Sequence, residues 1–244
     1  MSRFLTLFSC TLLFGVAVSA QSITPQQTDE ILKELRAIRQ TLERMGQPPL
    51  PQPNPPAPAP DEKVKLPDAT GVVMGRPDAP VTIIEYTDLQ CQFCSRFATE
   101  TFDLIRKAYI DTGKVRFVTR DYPLPFHPFA MAAARASRCA GEQGRFWELR
   151  TSLVKNADKL SADYIIESAR TLNLDMAAFA SCTTSGRFDA AIQQDLASAS
   201  AAGVSGTPTF LIGRTTTQGF EGARVVGAQP YALFDAQIQQ LLRN

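Results

Sequence analysis

Asp88-Leu89-Gln90-Cys91-Gln92-Phe93-Cys94 is the stretch on which the reading of this chain turns. It follows Val81-Thr82-Ile83-Ile84-Glu85-Tyr86, a β-branched run with the character of a buried central strand. A helix is predicted to begin at the cysteine pair and run towards Tyr109. Two thiols at positions i and i+3 can close a disulfide within one turn. The first sulfur then stands at the helix N-terminus, where free N–H groups and the helix dipole stabilise a thiolate. A stabilised thiolate leaves readily, so the bond opens to an incoming thiol. Two other uses of the pair stay open at this point: half of a zinc site, and a purely structural disulfide. Zinc would need further ligands from Cys139 and Cys182, which are far apart in sequence, or from His127.

Outward from this centre, Val115 to Thr119 reads as a second strand, ended by Pro123 and Pro125. From Pro128 to about Ala202 the chain turns Ala-rich and helical, broken by Gly141, Gly144 and Gly186. Pro208 to Ile212 and Ala223 to Val226 read as a strand pair around Gly219 and Gly222. Pro230 starts a last helix through Leu233, Ile238 and Leu241. The predicted order is strand–helix–strand, a helical block, two strands and a helix. No internal repeat of 20 to 50 residues is present. Residues 61–244 are long enough for one sizeable core.

The N-terminal quarter has a different character. Arg3, the mostly apolar stretch Phe4 to Val18, and Val18-Ser19-Ala20 form an export signal over residues 1–20. An uncleaved membrane anchor is the alternative; a lipoprotein site at Cys10 fits less well, because Phe8 is bulky where such sites need small residues. Removing the signal takes Cys10 with it. Five cysteines become four, namely Cys91, Cys94, Cys139 and Cys182, to be read outside the cytoplasm as disulfide chemistry. Residues 48–60 hold eight of the 17 prolines and read as an extended, semi-rigid polyproline II linker. Before it, within residues 21–47, Ile31, Leu35, Ile38, Leu42 and Met45 recur at heptad spacing, with Thr24 as cap and Gly46 as stop. Glu34 falls at g and Arg39 at the following e, as parallel chains require. The expectation is self-association; packing of this helix on its own domain is the alternative.

Charge excludes one class of function. Lys and Arg number 25 against 24 Asp and Glu, with one His, so no bulk basic field is available for nucleic acid. Hydrophobic residues at 44% are ordinary for a folded domain.

The cysteine stretch, taken with Gly206-Thr207-Pro208-Thr209-Phe210, resembles the DsbA-like family of thioredoxin-fold thiol-disulfide oxidoreductases. The likeness runs from about Ala79 to the C-terminus. It takes in Arg120-Asp121-Tyr122-Pro123-Leu124 and the segment from Cys139 to Trp147. The resemblance implies an α/β thioredoxin fold with a helical domain inserted at about 128–202. The N-terminal oligomerisation helix and the proline-rich linker precede it. Cys91 is then the nucleophile exposed to substrate and Cys94 the buried resolving thiol. Pro208 is a cis-proline beside the disulfide, where Thr-Pro alone suggests a trans turn. Thr207 offers backbone groups to an extended substrate strand. Glu85 is a buried acid that shuttles the Cys94 proton; an exposed strand-end charge is the alternative. Cys139 and Cys182 form a second, structural disulfide, against the alternative of two separate buried thiols.

Two residues depart from the family pattern. Gln92 replaces the Pro, or similar residue, that usually follows the first cysteine, and Phe93 replaces the His of strongly oxidising members. Without an imidazolium beside the sulfur, one source of thiolate stabilisation is missing. His127, after the second strand, is read as a structural turn residue, with a place near the active site as the alternative. The expected function is an exported, periplasmic thiol-disulfide oxidoreductase that uses no metal or organic cofactor. Its expected partners are cysteine-containing exported proteins, a membrane redox partner and copies of itself, with no nucleic acid. An oligomeric isomerase or reductase, and a non-catalytic peptide-binding module, are the rival readings.

Overall fold

The structure, a computed structural model, describes residues 24–46 and 63–243. The predicted signal peptide at 1–20, with Cys10, and the linker at 48–60 lie outside the described residues. The chain divides into two units, Met1–Asn54 and Pro55–Asn244.

In the first unit, helix α1 spans Pro25–Gly46. Its start is a reciprocal cap. The Gln27 N–H donates to Thr24 Oγ1 at 3.3 Å, and the Thr24 N–H donates to Gln27 Oε1 at 3.0 Å. Pro25 occupies the first helical position, where its missing N–H costs nothing. Ile31, Leu35 and Ile38 of the predicted seam are exposed. The side chains of Leu42 and Met45 lie outside the described residues.

The second unit opens with β1 (Lys63–Leu66), β2 (Val72–Met74) and β3 (Val81–Thr87). Helix α2 (Gln92–Glu100) follows, then α3 (Phe102–Ile105), which runs into a wide π-type turn over Arg106–Ile110, and then β4 (Val115–Asp121). The inserted helices are α4 (Ala130–Gly141), α5 (Phe146–Lys155), α6 (Ala162–Thr171), α7 (Met176–Ser185) and α8 (Asp189–Ala201). The chain closes with β5 (Thr209–Thr216), β6 (Gly219–Val226) and α9 (Tyr231–Arg243). The sheet order is β1-β6-β5-β3-β4-β2. β3 and β4 are parallel, and every other neighbouring pair is antiparallel.

β3 is buried along all seven residues because side chains pack on both faces of the sheet. On one face Val81 and Ile83 meet Phe97 of α2, Phe102 and Ile105 of α3, and Phe234 and Ile238 of α9. Phe97 lies at its centre, 4.4 Å from Phe210 and 5.5 Å from Phe234 between ring centroids. On the other face Ile84 and Tyr86 meet Ala199 and Ala202. A third core fills the insertion. There Ala133, Ala136 and Ala140 of α4 let Leu149 and Leu153 of α5 approach closely, and Cys94 and Ala98 of α2 belong to the same cluster. Cys139 of α4 is bonded to Cys182 of α7, with Cα atoms 5.8 Å apart.

Three expectations about elements need correction. The single helix from the cysteine pair to Tyr109 is broken at Thr101 (φ −119°), whose hydroxyl donates to the Gln229 carbonyl at 3.3 Å. The reversal between β5 and β6 is made at Thr217 and Gln218, with Gly219 at φ 116°. Gly222 lies inside β6 opposite Gly213, where a Cβ on Gly213 would meet the Glu221 carbonyl at 2.0 Å. Close strand approach, not a turn, explains that glycine. β1 and β2 were not expected at all. Each is short and takes its order from a neighbour, β1 from β6 and β2 from β4.

Candidate active site

The loop between β3 and α2 is built on Asp88. Its buried carboxylate accepts from the Gln90 N–H at 2.7 Å through Oδ1 and from the Leu124 N–H at 2.8 Å through Oδ2. The Asp88 carbonyl accepts the Cys91 N–H at 3.1 Å. Gln90 Oε1 accepts the Phe129 N–H at 2.8 Å, which ties this loop to the start of α4. Cys91 is thereby held at the N-cap of α2, with extended backbone at φ −76°, ψ 125°.

Cys91 and Cys94 stand as free thiols of unequal access. Cys91 is 5% exposed and Cys94 0%. The expected exposed nucleophile is therefore a largely covered sulfur with a small opening, and only its partner is sealed. Cys91 Sγ donates to the Thr207 carbonyl at 3.4 Å. The Thr207–Pro208 peptide bond is cis. Its loop is fixed by the Thr209 hydroxyl, which donates to the Gly206 carbonyl at 2.7 Å, and by the Gly227 N–H, which donates to the Pro208 carbonyl at 2.8 Å. Two motifs over a hundred residues apart in sequence thus meet at one sulfur.

The electrostatics separate the thiols. A hydrogen bond from Cys94 is the largest influence on Cys91. With the Thr207 side chain and the N–H groups of Cys94 and Phe93 it outweighs burial and lowers Cys91 to about 5. This is the arrangement expected at a helix start, and it compensates for the missing imidazolium. Burial pushes the Cys94 thiol well up, and the neighbouring Cys91 sulfur adds to the effect.

Glu85 is buried at 1% exposure in the middle of the sheet, so the strand-end alternative does not hold. Arg150 Nη2 of α5 and the Thr119 hydroxyl of β4, the latter at 3.2 Å, both donate to Glu85 Oε2. Burial pushes the Glu85 carboxyl up, against the opposing pull of Arg150. Sequence reasoning missed Arg150. Its one signal was an Arg in an otherwise apolar helix face between Leu149 and Leu153.

His127, read as a turn residue, donates its backbone N–H to the Leu124 carbonyl at 3.0 Å, as a turn residue does. Its Nδ1 also pairs with Asp88 Oδ2 at 2.8 Å, which brings it to the active-site loop. Phe126, next to it, is 72% exposed, and Phe93 is 57% exposed beneath the Arg96 guanidinium. Arg120 and Asp121 serve the frame. Arg120 bonds Tyr86 Oη at 3.0 Å and Asp68 at 2.8 Å, and Arg138 bonds Asp121 at 2.6 Å.

A thioredoxin family model matches residues 68–225. The chain belongs to the thioredoxin family. Among solved structures it is similar to α-DsbA1 of Wolbachia pipientis, with a TM-score of 0.64 and 26% identity over 73% of this chain and 92% of that one. BdbD of Bacillus subtilis superposes with a TM-score of 0.60 and 21% identity, over 70% and 92%. DsbA of Chlamydia trachomatis superposes with 0.58 and 19%, over 72% and 95%. The last two likenesses speak for the fold alone. Family and fold place this chain beside DsbA-type proteins among the solved structures.

The curated relatives carry another name. The chain is 37% identical over 141 residues to Na(+)/H(+) antiporter NhaA 3 of Salinispora tropica, and 35% identical over 156 residues to Na(+)/H(+) antiporter NhaA of Herminiimonas arsenicoxydans. The matches cover 57% and 64% of this chain but only 21% and 24% of those proteins. The chain spans about a fifth to a quarter of the length of these relatives, and their name describes the longer proteins. Among the described residues no helix is long and apolar enough to cross a membrane.

Proposed function

We propose that this protein is exported and exchanges disulfides with cysteine-containing exported proteins. Cys91 attacks, or is attacked by, a substrate sulfur, and the mixed disulfide is resolved by Cys94. The supporting observation is the pairing of a Cys91 lowered to about 5, beside the Thr207 carbonyl, with a sealed Cys94 one turn further along α2. Thr207 and Pro208 border the groove in which an extended substrate strand lies. A membrane redox partner resets the dithiol. Export rests on the signal-like residues 1–20.

Within this activity we favour isomerisation by an oligomer. The exposed Ile31, Leu35 and Ile38 on α1 support self-association, because an apolar stripe left in water is removed from it by a second copy. The deciding experiment is the equilibrium of the Cys91–Cys94 pair against glutathione. A defined equilibrium is expected, with Cys94→Ala accumulating a mixed disulfide at Cys91. Failure of the pair to exchange with glutathione at any ratio would remove the proposal.

A further inference from the structure

Thr87, the last residue of β3, carries a buried hydroxyl that makes no hydrogen bond. A buried polar atom without a partner is uncommon and calls for a reason. Glu85 and Thr87 are alternate residues of one strand, so their side chains leave the same face of the sheet. Phe97 of α2 packs over that face against Val81 and Ile83, and Cys94 lies one turn before Phe97. The Thr87 hydroxyl acts on two groups, favouring the charged form of both the Cys94 thiol and the Glu85 carboxyl. Thr87 thus lies two residues along β3 from Glu85, on the sheet face covered by the helix that carries Cys94.

The surrounding charges are few. Arg150 of α5 faces Glu85 and bonds its Oε2. Asp121, the β4 register partner of Thr87, is held by Arg138 of α4. α2 brings Cys94, and its N-cap is Cys91. β5 brings Thr209 and Phe210, which carry no charge.

We propose that Thr87 is the proton relay of the resolving thiol: its hydroxyl accepts the Cys94 proton while passing its own to Glu85, which Arg150 holds in position. The inference rests on the dithiol exchange proposed above. In resolution, a bond forms between Cys94 Sγ and Cys91 Sγ. The bond between Cys91 Sγ and the substrate sulfur breaks, and the electron pair leaves with that sulfur as a thiolate. The enzyme dithiol is oxidised and the substrate reduced. The Cys94 proton ends on Glu85 as a carboxylic acid and returns by the same hydroxyl when a substrate thiolate reopens the disulfide. An ether-like or aliphatic side chain at 87 cannot do this; a second hydroxyl can.

The test is the rate at which Cys94 resolves a Cys91–glutathione mixed disulfide, followed across pH 5 to 9 in wild type, Thr87→Val and Thr87→Ser. Without a hydroxyl at 87 to take the Cys94 proton, resolution should slow at neutral pH by about ten- to a hundred-fold, and the Thr87→Val profile should shift to higher pH. Thr87→Ser should restore the wild-type profile. An unshifted Thr87→Val profile, or equal slowing in Val and Ser, overturns the relay while leaving dithiol exchange intact. Absence of mixed-disulfide formation in wild type overturns both. A measurement on wild type covers the case in which Thr87→Val does not fold. In the reduced protein, ¹³C NMR of Cys94 Cβ and Glu85 Cδ should show a shared inflection with pH; independent titrations overturn the relay.

Discussion

Cys91 shows how much a single position can do. Its sulfur is lowered to about 5 by bonds from Cys94, the Thr207 side chain and two N–H groups, against the opposing effect of burial. Alkylation of the reduced protein should therefore label Cys91 first, with half its maximal rate near pH 5, where a free thiol would need about pH 8.5. Because the folded value is depressed, the stabilisation it contributes is complete above the ordinary thiol value and is lost as pH falls through about 5. Thermal melts of the reduced form should fall in Tm as pH is lowered through that window, and those of the oxidised form should not show this component. Cys94→Ala should trap mixed disulfides and Cys91→Ala should not; first labelling at Cys94 would reverse the roles. The dithiol at a helix start was legible from the CxxC spacing and the strand–helix junction, whereas the roles of the two thiols came from the family resemblance. The Cys91–Thr207 contact was reached only through family resemblance, since nothing local to either residue points to the other.

At the scale of elements, α2 and the insertion carry the stability of the site. Phe97 joins α2 to Phe210 of β5 and Phe234 of α9. Phe97→Ala should cost about 3–5 kcal/mol in denaturant unfolding, since the rings around it cannot collapse into the space. The Cys139–Cys182 bond closes a loop of 43 residues between α4 and α7. Replacing both by Ala should cost about 4 kcal/mol from loop-closure entropy while leaving glutathione exchange at Cys91 largely intact. Mild dithiol treatment should leave this bond closed, and free thiols at both positions in exported protein would contradict the pairing. The sequence placed a helix at the cysteine pair, a helical block from Pro128 to about Ala202 and a last helix after Pro230, but not the break at Thr101. That break depends on the Gln229 carbonyl, which arrives from the far end of the chain. β1 and β2 escaped notice for the same reason: a three- or four-residue strand has too little pattern of its own and is made by the edge it joins.

For the whole molecule, the test concerns α1. Deleting residues 21–47 should give a monomer by light scattering that keeps dithiol exchange and loses isomerisation of a scrambled substrate. A monomeric full-length mature protein at micromolar concentration would remove the basis for self-association, and an undiminished truncated form would detach α1 from the chemistry. The amino-acid order by itself determined the α/β class, the helical insertion between two strand groups, the dithiol at a helix start, and the cap and apolar stripe of α1. Each is a local signal: a period, a spacing, a capping residue. Only the tertiary structure decided which distant groups share the dithiol's surroundings. Arg150 reaches Glu85 from the insertion, His127 reaches Asp88 across a turn, and Thr87 is left with a hydroxyl that no neighbour bonds. Burial and charge act through space over a few ångströms, whereas sequence patterns report only on neighbours along the chain; a site assembled from β3, α2, α5 and the loop before β5 is therefore specified by packing.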